Sequence, residues 1–179
     1  KPSLVDKAKE KLLENQPFKH VSFDELLLRH LHTLCQSMAT PPDWKIVLNA
    51  DKADRNSRDW QNLQRLVQMA LPAMSDEIKA IKQPILLTEP GLIARYNLIN
   101  TWLSDLRQHL MNADDVYGLV ILIACETQSD GAMIDGVAVP KGAGSKEFSR
   151  IPSIWFQLTE KDSDNGSDIT NKEQFIQQS

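Results

Sequence analysis

The 179-residue chain is 41% hydrophobic and carries a formal net charge of −4, so it can bury the core of one globular domain, with room for an attached helical subdomain. The acidic balance argues against a sequence-independent nucleic-acid binder, which needs a basic face; scattered Lys and Arg leave only a local basic patch open. No apolar run approaches the roughly 20 residues of a membrane-spanning helix, and the opening Lys-Pro-Ser-Leu-Val-Asp is no signal peptide.

Two cysteines, Cys35 and Cys125, each sit in an apolar run and form no Cys-x-x-Cys pair. They read as small buried hydrophobes, and a reducing cytoplasm is the expected compartment. A start at Lys rather than Met fits a piece of a longer protein.

Residues 3–15 predict an amphipathic helix. Ser3 caps it, Asp6 completes a capping box, and Pro17 ends it. A second helix begins at Val21-Ser22-Phe23, with Ser22 as cap and Leu27, Leu28, Leu31, Leu34, Cys35 and Met38 at helical spacing. Thr40-Pro41-Pro42-Asp43 breaks the chain. Trp44–Ala50 is short and apolar, and is expected to be the first strand. A polar loop follows, then a long helix from about 58 to 81, with a kink or break expected at Pro72.

Ile85-Leu86-Leu87 predicts the second strand, handed by Thr88-Glu89-Pro90-Gly91 into the next helix. Residues 118–125, the most hydrophobic run, predict a third strand; its unbroken apolarity suggests a central parallel strand buried on both faces. Residues 126–150 are rich in Gly, Ser, Asp and Lys, with an extended Val137–Pro140. Ile151–Leu158 reads as a short helix or an edge strand. The tail from Thr159 is polar and expected to be flexible.

This alternation predicts an α/β fold: a short parallel sheet, with strands near 45–50, 85–88 and 118–125, flanked by helices in three layers, and an N-terminal helical pair. The expected division is a helical segment 1–42, an α/β domain 43–158 and a tail 159–179.

Ligands bind such folds at the carboxyl ends of the strands. That places Asp51, Arg58 and Asp59 after the first expected strand, Thr88, Glu89 and Arg95 after the second, and Glu126 after the third. Asp51, Glu89 and Glu126 could hold Mg²⁺ through carboxylate oxygens. Exposed polar loops and helix caps explain the same residues more simply. Three carboxylates converging on an open pocket would mark an enzyme; Arg58 or Arg95 set against them would mark structural ion pairs. There is no phosphate-binding Gly-rich motif, and Gly142-Ala143-Gly144-Ser145-Lys146 lies at no strand-to-helix junction. No nucleophile comes with a spaced partner; His30 and His32 are two apart on a helix and point to different sides. Trp60 and Trp102 fall on apolar helix stripes, whereas Trp155, beside Phe156, could anchor the C-terminal segment or meet a partner.

Five segments in order carry a resemblance: Trp44–Asp51, Ser57–Leu63, Leu86–Tyr96, Asp135–Pro140 and Ile151–Trp155. Together the chain resembles the C-terminal region of large multidomain bacterial phage-defence proteins, in particular the serine/threonine-kinase protein of Pgl-type BREX (bacteriophage exclusion) systems. The resemblance implies an accessory module, with other domains of the parent or defence-complex subunits as partners. It implies no kinase in this chain, which lacks the Gly-rich loop, His-Arg-Asp and Asp-Phe-Gly signatures. The expected function is a non-catalytic interaction or regulatory domain without cofactor, using Arg58, Asp59, Arg95 and Trp155. The alternatives are a Mg²⁺-dependent hydrolase or nuclease, and a nucleotide sensor without hydrolysis.

Overall fold

The computed structural model describes residues 3–112, 118–124, 131–140, 148–152 and 154–156. Its elements run α1 (Leu4–Asn15), β1 (Lys19–Ser22), α2 (Phe23–Ser37), α3 (Trp44–Lys52), α4 (Arg58–Ala80), β2 (Ile85–Thr88) and α5 (Gly91–Arg95). A π-helical turn (Ile99–Leu103), α6 (Ser104–Asn112), β3 (Leu119–Ile121), β4 (Met133–Ile134) and β5 (Val137–Ala138) follow. The fold is α/β, a three-stranded parallel sheet in the order β1-β2-β3 flanked by helices.

Alternation along β2 divides the core. Ile85 and Leu87 face the main core, built from α2, α3, α4, α5 and the π turn around Phe23, Leu27, Val67, Met74 and Trp102. Leu86 faces the other way, into a smaller core with Ala8 of α1 and Leu122. Helices thus cover both faces of the sheet. Each fully buried Leu or Phe stabilises the fold by roughly 1.5–3 kcal/mol, so the main core dominates stability.

Local capping explains where the helices start. Ser3 and Asp6 form the expected capping box on α1. Ser22 Oγ accepts from the Glu25 N–H at the start of α2, and Ser57 Oγ from the Trp60 N–H at the start of α4.

Three expectations need correction. Residues 44–50 are helix α3, not a strand. Asp43 caps it by accepting from Lys45 N, and Val47 and Ala50, three apart, bury one helical stripe while Ile46 and Leu48 stay exposed. The first strand is instead Lys19–Ser22, immediately before α2; its Ser22 both ends the strand and caps the helix. The central strand is β2, buried at all four residues, whereas β3 lies at the edge of the described sheet with Val120 exposed. The apolar run from 118 is divided instead: Leu122 joins the small core and Ile123 lies against the large one.

Helix α4 passes through Pro72 without a break. Pro72 lies on the solvent face, so the carbonyl it leaves without an N–H partner can bond to water. In the π turn, Leu103 N donates to Leu98 O at 2.9 Å, and Trp102 Nε1 reaches Ser75 Oγ of α4 at 2.8 Å. Trp60 and Trp102 are both buried, as their helical spacing predicts. Cys35 is buried too, and burial pushes its thiol pKa up; Cys125 lies outside the described residues. The C-terminal segment forms a helical turn at 154–156. The tail from 159 and the segment 142–146 lie outside the described residues.

Candidate functional site

Two polar clusters gather near the end of β2. The first joins α3 to α5. Arg95 Nε donates to Asp51 Oδ1 at 2.7 Å, and its Nη2 donates to Oδ2 at 3.0 Å and to the Asp51 carbonyl at 2.5 Å. The Tyr96 hydroxyl donates to Asp51 Oδ1 at 2.7 Å. A forked guanidinium fits a carboxylate in this way better than any other side chain. Burial alone would raise the Asp51 pKa, but the bonds from Arg95 and Tyr96 outweigh it and hold the carboxyl below its usual range. Burial first, then the bond to Asp51, raises the Tyr96 phenol.

Aromatic rings frame this pair. Trp60 stacks on Tyr96 with centroids 5.6 Å apart. The guanidinium carbons of Arg55 and Arg95 each lie 5.5 Å from the Trp60 ring centre, within cation–π range. Asp51 therefore sits on a helix, not at a strand end, with its acceptors engaged. This corrects its expected place at the end of a strand; the cause is the helical conformation of 44–52, which Asp43 initiates.

The second cluster lies at the carboxyl end of β1 and β2. Parallel pairing sets Ser22 beside Thr88 and His20 beside Leu86. His20 Nε2 and Thr88 Oγ1 are 2.8 Å apart in a hydrogen bond, and the Ser22 hydroxyl donates to Glu89 Oε2. Glu89 has a left-handed φ of 54°, a conformation that costs a non-Gly residue energy and turns the chain sharply from β2 into α5.

Asp24 and Asp135 complete this end. Asp135 and Gly136, with φ of 46° and 79°, form the tight turn between β4 and β5, the geometry that Asp-Gly favours. A Cβ at Gly91 would lie 2.9 Å from Asp135 Oδ2, so the bare glycine lets the hairpin approach α5. Asp24 Oδ1 is buried and has no hydrogen-bond partner among the described residues. Burial, then the negative charges of Glu89 and Asp135, raise the Asp24 pKa against the lowering effect of the Leu92 N–H.

An open groove of about 410 Å³ runs past Asp24, Asp135, Arg55 and Arg95. The carboxylates around it are not a cation cage: among the described residues no three His, Cys, Asp or Glu side chains group as metal ligands. Of the sequence-predicted residues, Asp51 and Arg95 meet, and Thr88 and Glu89 lie in the second cluster. Arg58 and Asp59 are exposed in the first turn of α4, and Glu126 is outside the described residues. Trp155 lies elsewhere, against Lys11 of α1.

Sequence reasoning missed His20, Ser22 as a Glu89 partner, Asp24 and Asp135. The first three were hidden because β1 is four residues long and runs directly into α2. The Asp135-Gly136 dipeptide was a legible hairpin signal.

Comparison with known proteins yields one relative for this region. The chain is 29% identical over 142 residues to "Probable kinase PglW" of Streptomyces coelicolor, a match that covers 75% of this chain and 9% of the relative. The chain thus spans less than a tenth of that protein's length. No family model matches, and no solved structure matches. The similarity supports the Pgl part of the resemblance drawn from the ordered segments.

Proposed function

We propose that this chain is a non-catalytic interaction or regulatory domain of a larger bacterial phage-defence protein of the Pgl, BREX-like kind. The observation that carries the non-catalytic reading is the forked Arg95–Asp51 contact, closed by Tyr96. It commits one of the three carboxylates considered for Mg²⁺ to a structural ion pair. The similarity to a short part of a much longer protein supports the accessory role. On this reading the domain works in the bacterial cytoplasm, without a cofactor. It meets other domains of its parent or subunits of the defence complex, and Arg58, Asp59 and Trp155 belong to the contact surfaces.

The test uses the full-length parent in its host. Charge reversal at Arg58 and Asp59 together, at exposed positions of α4, is expected to raise phage plating at least tenfold while the parent's abundance and nucleotide turnover stay unchanged. Unchanged plating, or plating that rises only in proportion to lost protein and lost turnover, would contradict an interaction role.

A further inference from the structure

The second face of the sheet is covered by pieces from opposite ends of the described chain. One is α1; the other holds Ile151, Trp155 and Phe156. Among the described residues only Ala8, Leu86 and Leu122 are buried in the core between them and the sheet, with Val5, Leu12, Leu13 and Phe18 at its margin. The opposite face rests on a core many times larger. The two layers therefore differ greatly in the burial that holds them, which is the condition for local opening below the global unfolding free energy.

The two covering pieces hold each other. Lys11 Nζ donates to the Trp155 carbonyl at 2.8 Å and lies 4.6 Å from the centre of its ring. Trp155 in turn meets Phe156 edge-on at 5.2 Å. One basic side chain of α1 thus bonds both the backbone and the ring of the other piece, while both share the apolar patch around Leu86.

Register shows what lies on this face. Residues paired across parallel strands point to the same side, so His20 and Thr88 share the side of Leu86, whereas Val21 shares that of Leu87. The same side of the sheet carries the His20–Thr88 hydrogen bond, with Thr88 buried and His20 exposed, at the end where Ser22 meets Glu89.

We propose that α1 and the piece holding Ile151, Trp155 and Phe156 form one latched cover, which opens as a unit from the Leu86 face while the main core stays folded. Lys11 and Trp155 are the latch. Opening bares Leu86 and Leu122 beside the already exposed His20, giving the domain a second, conditional surface. The inference is independent of the function proposed above.

Hydrogen exchange on the full 179-residue chain, read by mass spectrometry, tests it. The amides of α1 and that of Trp155, which bonds to the Pro152 carbonyl, are expected to exchange at one common rate, at least tenfold faster than those of α4 in its Leu63–Met74 portion. Trp155→Ala and Lys11→Met are each expected to speed both pieces several-fold and to leave α4 unchanged. Equal protection of α1 and α4 would overturn the proposal, because the layers would then unfold together. So would a Trp155→Ala effect confined to its own piece. Lys11→Met is the variant that keeps the apolar packing intact, so its result separates loss of the latch from general damage.

Discussion

Arg95→Ala removes two bonds to the Asp51 carboxylate, one to its carbonyl and a cation–π contact with Trp60. The side chains of Arg95 and Asp51 are 38% and 32% exposed, so water screens part of the loss. An exposed pair contributes about 0.2–1 kcal/mol, and a hydrogen bond to a charged group about 1.5–3 kcal/mol. The geometry here lies between these cases, which gives an expected loss of about 1–2 kcal/mol. The larger cost of a stranded buried charge does not apply, because Asp51 keeps Tyr96 and contact with solvent. For a chain of this size that loss lowers Tm by roughly 2–8 °C. Urea unfolding of wild type, Arg95→Ala, Asp51→Ala and the double variant, followed by circular dichroism, should give a coupling energy of about 1 kcal/mol. Zero coupling and an unchanged midpoint would refute the structural assignment of this pair.

Other expectations follow from single contacts. Ser57→Ala removes the cap of α4 and should cost about 1 kcal/mol in the same unfolding assay. Phe23→Ala, at a fully buried position against Trp102, should cost about 3–5 kcal/mol and leave little folded chain at 37 °C. Asn97 holds a left-handed φ of 59° on the surface; Asn97→Gly should change stability by less than about 0.5 kcal/mol, and Asn97→Val should cost more than about 1 kcal/mol. Arg29 and His30 bonds hold the Glu77 carboxyl down at about 2, from an ordinary 4.5. A depressed folded pKa gives stability that is full above the unfolded value and is lost as pH falls from about 5 towards 2. Glu77→Gln should therefore flatten the acid limb of the stability–pH curve, with a small effect at pH 7 because the pair is well exposed.

The legible parts of the fold were those with long-range periodicity or a complete local signal. The Ser3 capping box, the stripe of α4 and the Ile85–Thr88 to Gly91 transition all carried their own chemistry. Trp44–Ala50 misled because Ile46, Val47 and Leu48 look like a strand core; only the i, i+3 pair Val47 and Ala50, with Asp43 as cap, distinguishes the helix. Lys19–Ser22 gave no strand signal because just four residues pair, and its apolar content is one Val. Its pairing with β2 is a tertiary choice, made by Leu86 and Leu87 of the neighbouring strand. The unbroken run from Gly118 suggested two buried faces, but β2 occupies the centre and β3 the edge. Part of the candidate site was readable for the same reasons. An Arg95 ion pair to one of the carboxylates was among the expected outcomes, and Arg95 does pair with Asp51, on helix α3 rather than in a strand-end loop. His20, Ser22 and Asp24 joined Glu89 only through the register of a strand that the sequence concealed.

The most direct test of the non-catalytic reading is turnover by the purified 179-residue chain. It would be incubated with Mg²⁺ and, in separate reactions, nucleoside triphosphates and single- and double-stranded nucleic acids. The account predicts no product above a protein-free control. Turnover that Glu89→Ala abolishes in a folded variant would contradict it.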